Sequence, residues 1–159
     1  LAPMGLDAAI IAKTITVTME ASTVLWLALS LTSPLAGFKI GNNFLGLVGA
    51  TLLSVFTFSC IALVFACFLR TIRVYTMTIS ILGVALMFVS GFITPIKAMP
   101  YWEQQLASSM PLYYASDLTK AAMLGIPCDY GRDIVVLLSF AFGSLILSRF
   151  VLARSKASL

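Results

Sequence analysis

The apolar positions of this chain do not alternate, and they are not confined to one narrow stripe; they continue for long stretches. A helix that crosses a bilayer needs about twenty predominantly apolar residues. Four runs meet that length, at residues 14–35, 44–69, 74–94 and 134–152. Polar and helix-breaking residues separate them, from Pro34 to Asn43, from Arg70 to Arg73, and over the long segment 95–133. The pattern predicts an all-α fold: a polytopic membrane helix bundle of about four transmembrane helices, in a single transmembrane domain over 1–159. An even number of spans returns both ends to the same side.

Segment 95–133 carries a different pattern, with apolar runs too short to cross and prolines at intervals. Proline lacks an amide donor but suits a first helical turn, so Pro95 ends one helix and Pro100 opens another, over 101–108. Pro111 interrupts again, and 112–124 reads as a second short helix closed by Gly125 and Pro127. Tyr101, Trp102, Tyr113 and Tyr114 gather here, and such amphipathic rings favour the level of lipid headgroups. We read the segment as a short re-entrant helical hairpin on the outer face. Irregular backbone at membrane depth needs protein or a water-filled cavity to satisfy its polar groups, so the hairpin is expected to pack on the bundle. The alternative is an interfacial loop lying on the surface.

Composition narrows the class. With 60% hydrophobic and 10% charged residues among 159, the chain cannot cover a core against water as a soluble domain does. Its net charge of +4 is not gathered into a basic run with interleaved aromatics, so no nucleic-acid partner is expected. The cations instead sort by side. Lys13, Arg70, Arg73, Arg149, Arg154 and Lys156 share one side with Asp7 alone, whereas Lys39, Lys97, Lys120 and Arg132 are balanced by Glu103, Asp117, Asp129 and Asp133. The first side is expected to be cytoplasmic.

Glu20 lies inside the first run, where an ionised side chain costs roughly 2.5–3.5 kcal/mol at the helix centre. Lys13, Thr16, Glu20 and Thr23 fall on one helical face, which should avoid lipid. They form either a solute path or subunit contact, or a satisfied polar group near the interface. Gly46, Ala50 and Ser54, at intervals of four and continued by Ala62 and Ala66, form a small-residue seam suited to close helix packing in lipid. Thr76, Ser80, Gly83, Met87 and Ser90 make a second stripe on the third run, for packing or for lining a pathway. Asp117 and Lys120, three apart on a short helix, are expected to pair.

Catalytic chemistry has no foothold. There is no phosphate-binding Gly-rich loop, no Gly-x-Ser-x-Gly turn and no histidine, and the loop acids read as solvated or paired surface charges. Cys60, Cys67 and Cys128 make an odd count without a Cys-x-x-Cys pair, so neither a disulfide framework nor a metal site is expected.

The order of motifs in the loop is distinctive: Ser90-Gly91-Phe92-Ile93-Thr94-Pro95, Met99-Pro100-Tyr101-Trp102, Met110-Pro111-Leu112-Tyr113-Tyr114, Asp117-Leu118 and Leu124-Gly125. In this order the chain resembles the permease subunits of ABC-2 type transporters over nearly its full length. It departs from the family at Met110, where asparagine is frequent, and at Lys120, where arginine is common. The opening stretch, with Pro3, Asp7 and Lys13, is similar to the family's cytoplasmic coupling segment, expected here over 1–13. The resemblance implies two further spans upstream, a second permease copy, and an ABC ATP-binding subunit that holds ATP and magnesium, with no cofactor in this chain. It implies export of a hydrophobic, lipid-linked or polysaccharide-type solute across the cell membrane. A secondary transporter or channel fragment, or a membrane scaffold without transport, are the rival readings.

Overall fold

A computed structural model describes residues 6–36, 44–69, 71–90, 99–125 and 127–157. Among these residues the only regular secondary structure is helix. The elements are α1 (Leu6–Ala36), α2 (Phe44–Phe68), α3 (Ile72–Val89), α4 (Tyr101–Ser108), α5 (Pro111–Leu124) and α6 (Tyr130–Ala157). Four of them, α1, α2, α3 and α6, are long and apolar enough to cross a membrane, over Ile10–Leu31, Phe44–Phe68, Ile72–Val89 and Tyr130–Leu152. This is the expected membrane bundle, and it makes the protein an integral, multi-pass membrane protein.

Two boundaries differ from the apolar runs. The first run predicts a helix from residue 14, but α1 begins at Leu6, so Lys13 lies on a helix continuous with the span rather than on a separate short one. No breaker stands in Ala8-Ala9-Ile10-Ile11-Ala12, and a helix once nucleated propagates through good formers. The last run predicts a helix from 134, but α6 begins at Tyr130. Arg132 and Asp133 therefore belong to its first turn, not to the loop.

The two short helices follow their punctuation. Pro100 stands at the N-cap of α4, where Gln104 Nε2 donates to the Met99 carbonyl at 2.8 Å. Pro111 is the first residue of α5, a position that requires no amide donor. Gly125 ends α5 in the left-handed region, at φ 67°. Only glycine adopts that conformation without steric cost, and the Gly125 amide donates to the Ala121 carbonyl at 2.9 Å.

The hub is α2, which packs most extensively against α6 and also against α1 and α5. The core sits where α2, α5 and α6 meet, built from Leu47, Ala50, Tyr114, Ala115, Leu118, Ala122 and Leu137. Lipid is as apolar as leucine, so close packing and interhelical hydrogen bonds hold helices together here. Both are present. Alanines at 50, 115 and 122 let the backbones approach, and the Thr57 hydroxyl lies 3.4 Å from the Leu137 carbonyl across α2 and α6. By contrast the main contacts of α3 among the described residues are light ones with α2 and α4, and it buries no residue within the helix.

Candidate transport site

The site is built around α5, which the prolines hold to 14 residues, about 21 Å at 1.5 Å per residue and too short to span. One face of it, Pro111, Tyr114, Leu118, Ala121 and Ala122, is buried in the bundle. The expectation that the hairpin packs on the bundle thus holds for α5, which lies against both α2 and α6. Tyr114 is the fastening. Its hydroxyl donates to the Ser108 carbonyl at 2.6 Å, closing α4 onto α5. Arg132 from α6 reaches the same hydroxyl at 3.4 Å. The guanidinium lies 5.5 Å from the centroid of the Tyr114 ring, within reach of a cation–π attraction. Tyr113 meets the Tyr114 ring edge-on, with centroids 5.0 Å apart.

Acidic groups crowd this corner. Burial pushes the Tyr113 hydroxyl above its ordinary pKa, and Asp117 and Asp133 add to it while Arg132 opposes. Burial likewise raises the Cys128 thiol, reinforced by Asp133 and Asp117. Asp133 itself is only 3% exposed, and its Oδ2 has no hydrogen-bond partner among the described residues. The expectation that Asp133 is a solvated surface charge is therefore corrected: the earlier start of α6 turns it inward on the face of Leu137, Ala141 and Ser148. Its spacing of four from Leu137 and eight from Ala141 is the signal that places it there.

The opposite face of α5 looks onto a cleft of about 760 Å³. Its walls are Val17, Ala21, Leu25 and Leu29 of α1, residues of α2 from Thr51 to Ala62, and Ala115, Ser116, Thr119, Lys120 and Met123 of α5. The lining is almost wholly apolar, and Lys120 is the one charged residue in it. The hydroxyl protons of Thr51, Ser54, Ser116 and Thr119 are engaged by carbonyls of their own helices at 2.7–3.0 Å. A shallower groove of about 350 Å³ lies between α2 and α6, around Phe65 and Gly143.

The residues singled out from the sequence are not gathered into one place. Lys13, Thr16, Glu20 and Thr23 do share a face of α1, and all four are exposed, whereas Ile10 and Thr14 are buried. Thr16 and Thr23 spend their hydroxyl protons on the Ala12 and Met19 carbonyls. On α2, Ala50 is buried and Ser54 half-buried, whereas Gly46 is exposed. The seam that does pack is shifted onto Leu47, Ala50, Thr51, Thr57 and Cys60. On α3, Thr76 and Ser80 are exposed, and Ser90, just past its end, is fully buried. In the hairpin, Pro100 and Trp102 are exposed, Pro111 and Tyr114 buried, and Asp117 and Lys120 half-buried. Pro3, Gly91, Pro95 and the side chain of Asp7 lie outside the described residues.

No curated protein and no solved structure matches the chain significantly. The family model for the ABC-2 type transporter matches residues 1–124, a stretch that ends with the last residue of α5. Three of the four spans and both short helices fall within it, and the chain belongs to the ABC-2 type transporter family as a membrane permease domain.

Proposed function

We infer that this permease is the membrane subunit of an ATP-driven exporter in the cell membrane, moving a hydrophobic, lipid-linked or polysaccharide-type solute. The observation that carries the reading is the family match over residues 1–124 on a chain whose four spans carry the proline-punctuated pair of short helices. ATP and magnesium act on a partner ATP-binding subunit, met by the cytoplasmic stretch that holds Pro3, Asp7 and Lys13. A second permease copy completes the path. Binding of ATP shifts the bundle between two states by favouring one of them, and the hairpin with Pro95, Pro100 and Gly91 shapes the extracytoplasmic exit.

The exposed face of α1 supports a particular route. Thr16, Glu20 and Thr23 are exposed and turned away from α2, and a carboxylate at that depth is not left to lipid. The solute passes, or the second copy docks, along this face, with Thr76 and Ser80 on α3, and Ser90 at its C-terminal end, as the further candidates. Co-purification of a Walker-motif ATPase and loss of export in Glu20→Ala, with assembly intact, are the expected results. Transport driven by an ion gradient without ATP, or unchanged export in Glu20→Ala, overturns the exporter and the route respectively.

A further inference from the structure

We propose that the cleft between α1, α2 and α5 is a binding seat for one anionic lipid of the bilayer, whose acyl chain lies between α1 and α2 and whose headgroup is held by Lys120. The cleft lies on the bundle-facing side of α1, away from the Glu20 face, so the proposal does not depend on the route argued above.

Volume, lining and charge each point to this occupant. A volume of about 760 Å³ falls within the 300–1,000 Å³ usual for sites that enclose a small molecule. The α1 wall is wholly aliphatic: Val17, Ala21, Leu25 and Leu29 recur every four residues along one stripe. From Val17 to Leu29 it extends about 18 Å at 1.5 Å per residue, which suits an extended chain rather than a compact polar solute. Hydroxyls line both the α2 wall, at Thr51, Ser54 and Ser59, and the α5 wall, at Ser116 and Thr119, and the one charged group, Lys120, stands on α5.

Since the Ser116 and Thr119 protons are engaged by backbone carbonyls, these hydroxyls offer acceptors, and the ammonium of Lys120 is the group that can donate and attract charge. An ammonium carries three N–H donors, so it can serve a headgroup alongside a protein neighbour. A zwitterionic headgroup meets that cation with its own cation nearby; an anionic phosphate diester does not. The seat therefore selects charge at one end and length at the other.

Trp26 provides a native reporter, since it neighbours Leu25 and Leu29 on α1 and packs against the core beside Phe44, at 5.8 Å between rings. With Trp102→Phe, Trp26 is the one tryptophan left of two. The protein is placed in phosphatidylcholine nanodiscs carrying a minor fraction of lipid with brominated chains, which quench tryptophan at contact. Brominated phosphatidylglycerol is expected to quench at a lipid fraction roughly fivefold lower than brominated phosphatidylcholine. That factor corresponds to the about 1 kcal/mol that one lysine contributes toward anionic lipid. Lys120→Gln should abolish the difference and Lys120→Arg should keep it, with both variants eluting as the parent does. Equal quenching by the two lipids overturns the proposal, as does a preference that survives Lys120→Gln. So does protection from both lipids together with cross-linking of Ser54→Cys to a second copy, which would assign the cleft to a protein helix.

Discussion

The corner where α2, α5 and α6 meet and the pair of spans α1 and α3 are made of similar residues, yet they are held in different ways. At the corner, Leu137 and Cys60 are fully buried, Tyr114 bonds across two helices, and Thr57 reaches a neighbouring backbone. Along α1 only Ile10 and Thr14 are buried among its described side chains, and α3 has no buried residue at all. Apolar content cannot account for the contrast, since lipid solvates leucine as well as a neighbouring helix does. What differs is where the small residues and hydroxyls stand: Ala50, Ala115 and Ala122 lie inside the core and Thr57 faces the Leu137 carbonyl, whereas Thr16 and Thr23 of α1 are exposed and bond carbonyls of their own helix. In this protein, hydrophobicity puts a helix in the membrane, while the face on which its small and hydroxyl residues fall decides which helix it stays beside.

The strongest test of that contrast compares two equivalent truncations. Leu137 is fully buried, so Leu137→Ala opens a void and is expected to destabilise by about 2 kcal/mol or more. Ile81 on α3 is 72% exposed. Ile81→Ala is expected to stay within about 0.5 kcal/mol of the parent, as surface substitutions usually do. Thermal unfolding in detergent, followed by loss of the monodisperse peak, reads both. Similar losses would mean that α3 has a protein partner in the membrane and is not simply lipid-facing.

Removing the fastening of the hairpin comes next. Tyr114→Phe keeps the ring against Tyr113 and loses the hydrogen bond to Ser108 along with the contact from Arg132. A loss of about 1 kcal/mol is expected, with faster proteolysis between α4 and α5 as the local sign. Thr57→Val preserves shape and removes the hydroxyl that lies near the Leu137 carbonyl. Interhelical bonds of this kind average about 0.6 kcal/mol in membranes, and the long 3.4 Å separation places this one no higher. A melting shift larger than that of Tyr114→Phe would make the α2–α6 contact, not the hairpin, the polar anchor of the corner.

Much of the fold was legible because its signals are local. Run length alone located four spans. Proline fixed α4 at 101–108 and α5 to within one residue of its start, since a missing amide donor acts on its own helix. The choice of packing face was not legible on α2. Apolar residues surround that helix, so no amphipathic stripe distinguishes Gly46, which is exposed, from Leu47, which is buried. On α1 the polar residues Lys13, Thr16, Glu20 and Thr23 are exposed; what that face meets depends on elements the sequence grouping says nothing about. The burial of Asp133 escaped the sequence for a similar reason. Its spacing of four from Leu137 marks the inward face only once α6 is known to start at Tyr130, and its cover comes from α5 packing against α6.

That buried carboxylate gives the smallest effect, and the one that reads the corner most directly. Cys128 stands in the connection between α5 and α6, and its thiol is held above its ordinary value of 9.0, first by burial and then by the charges of Asp133 and Asp117. A raised value leaves less thiolate at any given mildly alkaline pH, so alkylation of Cys128 should be slower there than that of an unhindered thiol, and the gap should close as pH rises past the raised value. Asp133→Asn removes the second of these causes while keeping the shape of the side chain. The thiol should then ionise at lower pH and react faster, whereas Asp129→Asn, which removes a weaker influence, should change the rate less. No acceleration by Asp133→Asn would mean that Asp133 carries no charge in the folded protein. The corner would then be held by a protonated acid, the form that burial favours.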